Sequence, residues 1–222
     1  MTSGPSTLLI RLSGLAGVIA VPQLVLGVLY ASSLRPGFNQ FSQVVSELDE
    51  SGTRSAAAFE LFALIPFALL LGLFALGLHR SLPDSRPSGA LVLGLGGVLL
   101  AVCGVFPCDQ GCPIPPVSWA GFAHTGLAVA GLVAIGAAPL LLAPGMDSNP
   151  RWRTQWRVSV GAARLATLFM SGFALASFLQ LPIRAVLERG LVLVLLGWIL
   201  LTALHLLRRG WEPRPFQSSF VA

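Results

Sequence analysis

Apolar residues in this chain fall into six long runs, at about residues 8–33, 57–79, 88–106, 118–143, 158–181 and 188–207. Each run is about 18 residues or longer, enough for a helix to cross a hydrocarbon layer of roughly 30 Å. Only helices and closed barrels satisfy their backbone in lipid, and these runs are too long for barrel strands. The pattern predicts an all-α polytopic membrane protein, a six-transmembrane-helix bundle. The polar breaks are short and no internal repeat or long linker interrupts them, so residues 1–222 are read as one domain. The first run exceeds a signal-peptide core and follows no basic stretch, so it is expected to be a retained span. Pro22 and Pro66 fall inside the first two spans and predict kinks. In the fourth span Gly126, Ala130, Ala134 and Ala138 recur at the small-xxx-small spacing that lets helix backbones approach closely.

A second periodicity lies in the first loop, "PGFNQFSQVVSELDESGTRS", residues 36–55. Phe38, Phe41, Val44, Val45 and Leu48 recur at helical spacing, opposite Asn39, Ser42, Gln43, Ser46, Glu47 and Asp49. This predicts a short amphipathic helix lying in the interface, ended by Gly52 as a C-cap. Its acids read either as solvated charge or as part of a site. Glu60 follows within the first turns of the second span. An acid at membrane depth needs a partner or a wet cavity, and Arg54, Arg184 and Arg189 fall on the same side.

Composition agrees with the pattern: 55% of residues are hydrophobic and 10% charged, against about a quarter charged in a soluble domain. All fourteen basic residues are arginine. They sit mostly in short loops with no aromatic-interleaved basic patch, so the net charge of +5 reads as topology and no nucleic-acid partner is expected. With the amino terminus inside, Arg80, Arg86, Arg151, Arg153, Arg157, Arg208, Arg209 and Arg214 lie on the inner face. Arg35, Arg54, Arg184 and Arg189 lie on the outer face. That excess predicts a multi-pass protein of the cytoplasmic membrane with both termini cytoplasmic.

The third loop, "FPCDQGCPIPPVSWAGFAH", contains no basic residue and is therefore assigned outside. Outer compartments are oxidising, so Cys108 and Cys112 are expected to form a disulfide closing the "DQG" loop between Pro107 and Pro113. A zinc site from Cys108, Cys112, His124 and Asp109 is the alternative, but C-x3-C with a histidine twelve residues on matches no standard finger. No metal is expected. His79 and His205 fall at the other membrane face, and Cys103 reads as a small buried hydrophobe. His124 lies about two turns into the fourth span. An Asp109–His124 pair would form a minimal acid–base unit, with Ser46 as nucleophile, though no nucleophile elbow marks it. A packed, hydrogen-bonded histidine is the plainer reading.

Three segments carry a family resemblance. "VSELDESGTRSAAAFELFALIPFALL" resembles the "SELG" segment of the integral membrane family called domain of unknown function 998. "GVFPCDQGCP" followed by "HTGLAVAG", and the hairpin "LPIRAVLERGLVLVLLGWILLTALHLL", are similar to its third-loop and last-hairpin patterns. The likeness spans most of residues 8–207 and implies a six-span prokaryotic membrane protein, without implying an activity. By position it points to Ser46, Glu47, Asp109, His124, Glu188 and Arg189. Where the family often has glycine after "SEL", this chain has Asp49. The placement of Ser46 and His124 is also similar, more faintly, to six-span autophagy modulators and GPI-lipid remodelling factors.

Two functional readings follow. In one, Ser46, Glu47, Asp109 and His124 form a polar site at the outer leaflet, with Glu60, Glu188 and Arg189 as binding residues, handling a membrane lipid or small amphiphile. In the other, the protein is a non-enzymatic accessory or structural subunit with a membrane-protein partner, and its acids are paired with arginines. No nucleotide, haem or flavin motif is present, so no cofactor is expected. Transport would call for broken helices or a mid-membrane charge.

Overall fold

A computed structural model of the chain describes residues 7–82 and 88–209. Six helices account for most of them: α1 Thr7–Ser33, α2 Arg54–Ser81, α3 Ser88–Cys103, α4 Trp119–Ser148, α5 Arg153–Phe178 and α6 Arg184–Arg209. Five are long and apolar enough to cross a membrane, and α3, with 16 residues, is shorter. At 1.5 Å per residue α3 reaches about 24 Å. The all-α expectation holds, and the helices define an integral membrane protein. Arg86 and Arg214 lie outside the described residues.

Each helix packs on its chain neighbour and α6 returns to α1, giving a ring of helices. Its core joins Phe67, Leu71, Phe74 and Leu78 of α2, Ile135, Leu142 and Met146 of α4, and Leu191, Leu195, Trp198 and Ile199 of α6. Trp198 Nε1 donates to Ser159 Oγ at 2.9 Å, which satisfies two buried polar groups between α5 and α6.

The α1–α2 seam follows from one proline. Pro66 has no N–H, so the carbonyl of Phe62 one turn earlier loses its helical donor. The helix widens to a π turn over Glu60–Leu64, and Gln23 Nε2 of α1 donates to the Phe62 carbonyl at 2.8 Å. Membrane helices tolerate proline where a neighbour re-satisfies the freed group in this way. Gly27 lets α1 come so close that a Cβ there would collide with the same carbonyl. At the other end of α1, a Cβ on Gly14 would meet the Leu207 backbone nitrogen at 2.7 Å, and one on Gly17 the Ala203 Cβ at 2.6 Å. That half of α1 is tight against α6.

The small-residue stripe of α4 lies differently from the sequence expectation. Gly126 and Ala130 are exposed, with nothing near a Cβ on Gly126. The close α3–α4 contact is made by Gly96 and Gly131, whose Cβ positions would meet each other's backbone oxygens at 3.0 and 3.1 Å. Residues 36–53 also depart from the expected amphipathic α-helix. They form turns and a 3-10 helix over Val45–Asp49, and Gly52 takes φ +79°. The polar side of that pattern carries Glu47 and Asp49, and both are buried, at 5% and 1% exposure, so this segment is covered on more than its apolar side. Phe41, from the apolar side, is 79% exposed.

Candidate functional site

The first and third loops are fastened together beneath one end of the ring. Cys108 N donates to the Asp49 carbonyl and Ser51 N to the Cys108 carbonyl, each at 3.1 Å. Cys108 and Cys112 are joined as a disulfide. Gly111, at φ +73°, makes the turn between them and donates its N–H to Glu50 Oε2 at 3.1 Å.

Every acid in this cap has a defined environment. Glu50 pairs with Arg35, which also donates to the Glu47 carbonyl. The Glu47 carboxylate accepts from Gln43 Nε2 at 2.7 Å and lies 3.5 Å from Arg184. Glu188 Oε2 accepts from Val45 N at 2.6 Å, with Arg189 at 3.9 Å. Arg189 donates to the Gln43 carbonyl at 2.8 Å and to Gln40 Oε1 at 3.0 Å, so it ties the first loop to α6. Glu60 contacts Gly104 and makes no ion pair among the described residues.

His124 lies at the centre and is 3% exposed. Its Nδ1 is 2.9 Å from the Phe106 carbonyl oxygen, 3.3 Å from Asp49 Oδ2 and 3.3 Å from Cys103 Sγ. A carbonyl only accepts, so Nδ1 carries the proton. Nε2 is buried with no hydrogen-bond partner. Burial pushes the Asp49 carboxyl up to about 6, against the opposing pull of His124.

The histidine therefore has an aspartate partner, but it is Asp49. Asp109 turns instead to the start of α4, where Oδ2 accepts from Val117 N at 2.8 Å and Ser118 N at 3.0 Å. Those bonds, the ones to Ser118 first, hold its carboxyl below the usual range. Gly121 makes room for it, since a Cβ there would strike the carboxylate. Ser46 is half-buried on the 3-10 helix, and no hydrogen bond joins it to His124. Asp49 was legible as one of three acids within four residues beside a span, yet its partner lies on a distant helix.

Behind the cap is a cavity of about 330 Å³. Ser46, Gln40, His124, Glu188 and Arg189 lie at its polar end, and Leu24, Val28, Leu132, Leu195 and Ile199 are among its apolar walls. On α4 the lining runs from His124 to Ile135, and on α6 from Glu188 to Ile199. Eleven helical steps on each helix give a depth of roughly 16 Å, about half of a roughly 30 Å hydrocarbon layer. Val25, Leu29 and Leu193 line it and are also exposed, at 41%, 51% and 68%. The cavity therefore opens sideways between α1 and α6, at the end away from their tight Gly14 and Gly17 contacts.

Helices of this length and polarity, a buried polar cap and a lateral cavity define a polytopic helical membrane protein. A family model described as protein of unknown function (DUF998) matches residues 18–205. The chain belongs to that family. No curated protein and no solved structure matches it.

Proposed function

We propose that this protein binds the hydrocarbon chain of a membrane amphiphile, taken up sideways between α1 and α6, with the head group resting against the polar cap. The observation that carries the reading is the cavity itself, apolar along a depth close to one leaflet and polar at one end. At about 330 Å³ it is near the lower end of the 300–1,000 Å³ range of ligand pockets, which favours a single chain over two. A chain leaving the bilayer gains no hydrophobic free energy, because lipid tails are as apolar as leucine. Preference must then come from the rim, where Ser46, Gln40 and Arg189 are the polar side chains that line it.

This reading takes the chain as six-spanning, with α3 as a short span, both termini cytoplasmic and the cap at the outer leaflet, as the arginine distribution favours. It assigns binding in place of acid–base catalysis. The His124 proton is committed to the Phe106 carbonyl with Asp49 at ion-pair distance, and the cap's glutamates at positions 47, 50 and 188 are paired.

The test uses purified protein in lipid nanodiscs and a fatty acid carrying a photoreactive diazirine near its chain end. Labelled peptides should come from residues 24–29 and 192–199, and unlabelled fatty acid should compete. Labelling spread evenly over all lipid-facing helices would overturn the reading.

A further inference from the structure

The third loop holds a second arrangement, which shares His124 with the cavity wall. The ligand atoms of Cys108, Cys112 and His124 all lie within 4.8 Å of one another. Two donors held about 2.0–2.3 Å from a tetrahedral zinc ion are roughly 3.3–3.8 Å apart, so the two sulfurs, bonded to each other here, must separate on reduction while His124 already lies within reach of both. Two further observations fit a metal. His124 Nδ1 faces the Phe106 carbonyl, so Nε2 is the nitrogen left to ligate a metal once it carries no proton, and it is buried without a hydrogen-bond partner. Asp49 lies 3.3 Å from Nδ1, the carboxylate–histidine arrangement that orients metal-bound imidazoles and raises their basicity. Sequence spacing alone argued against a finger-type site. The fold supplies what spacing could not, by returning α4 beneath the loop.

We propose that reduction of the Cys108–Cys112 disulfide converts this loop into a Cys2His site for a divalent cation of the zinc class. A dithiol or phosphine donates two electrons, and two protons complete the thiols. The metal then displaces both thiol protons and takes two thiolates and the imidazole, which leaves its fourth position to water or an added ligand. Cys112 is half-buried and Cys108 is buried, so a small reductant enters at Cys112. Oxidised, the pair is a covalent latch. Reduced, it is a chelate.

Cobalt(II), a spectroscopic stand-in for zinc, tests this on the full-length protein in detergent micelles. After phosphine treatment and removal of excess reagent, one cobalt per chain should give thiolate charge-transfer absorption in the near ultraviolet and tetrahedral bands in the visible. The unreduced protein should give neither. Cys112→Ser and His124→Gln should each lose the visible bands, whereas Cys103→Ala should keep them. Far-ultraviolet circular dichroism identifies any variant that fails to fold, and Cys112→Ser, at a half-buried position, decides the matter if His124→Gln does not fold. No stoichiometric cobalt in the reduced protein, or an unchanged spectrum in folded Cys112→Ser or His124→Gln, would overturn the site.

Discussion

His124→Ala strands a carboxylate. Asp49 is 1% exposed and, among the described residues, His124 is its one ion-pair partner, so the substitution leaves its charge in the interior with no described counter-ion. Breaking a buried pair by removing one partner costs about 3–5 kcal/mol. The hydrogen bond to the Phe106 carbonyl is lost as well, worth about 1 kcal/mol. Asp49→Ala should cost less, about 1–2 kcal/mol, because His124 keeps the Phe106 carbonyl. In Asp49→Ala/His124→Ala no charge is stranded, so the double variant should be more stable than the summed single losses by at least about 1.5 kcal/mol. Reversible unfolding in mixed micelles, with SDS as denaturant, measures all four corners of the cycle. Additivity within about 0.5 kcal/mol would refute the pairing.

Three further outcomes follow. Burial raises the folded-state pKa of Asp49 from 3.8 to about 6, so the fold favours its protonated form. Its contribution to stability is then greatest below about pH 4, falls as pH rises to about 6 and is flat above, a loss of at most about 3 kcal/mol. His124 of α4 and Glu60 of α2 act on this group, so the check is a wild-type minus Asp49→Asn difference curve; a difference independent of pH contradicts the assignment. Gly27→Val drives a side chain into the Phe62 carbonyl and should destabilise by several kcal/mol in the same unfolding assay, while Gly126→Ala, facing open space, should change stability by less than about 0.5 kcal/mol. Asp109→Ala removes the acceptor for Val117 and Ser118, so hydrogen exchange at those two amides should speed up while exchange in the middle of α4 stays slow.

The helices were legible because apolar runs of membrane length leave the backbone one economical solution. Their ends were less so: α4 continues to Ser148 through Pro144, and α5 starts at Arg153, ahead of the expected residue 158. A proline near a helix end breaks one hydrogen bond, which sequence hydrophobicity does not register. The first loop misled for a different reason. Its period separates apolar from polar side chains, but whether a polar face meets water depends on partners elsewhere in the chain. Glu50 finds Arg35 within the same loop, but Glu47 finds Arg184 and Asp49 finds His124 on helices far along the chain, and those pairings exist only after the helices pack. The return of α6 to α1 also frames the space between them. A site assembled from four segments is visible in a sequence only as separate polar residues near one membrane depth.

The lateral cavity is the central claim, and native mass spectrometry of the protein released from nanodiscs tests it most directly. Ala128 lines the cavity one turn below His124, so Ala128→Phe fills it without touching the cap. The wild type should retain one single-chain amphiphile, and Ala128→Phe should lose it with its thermal midpoint unchanged. Equal adducts on the two proteins, or none on the wild type, would contradict the account.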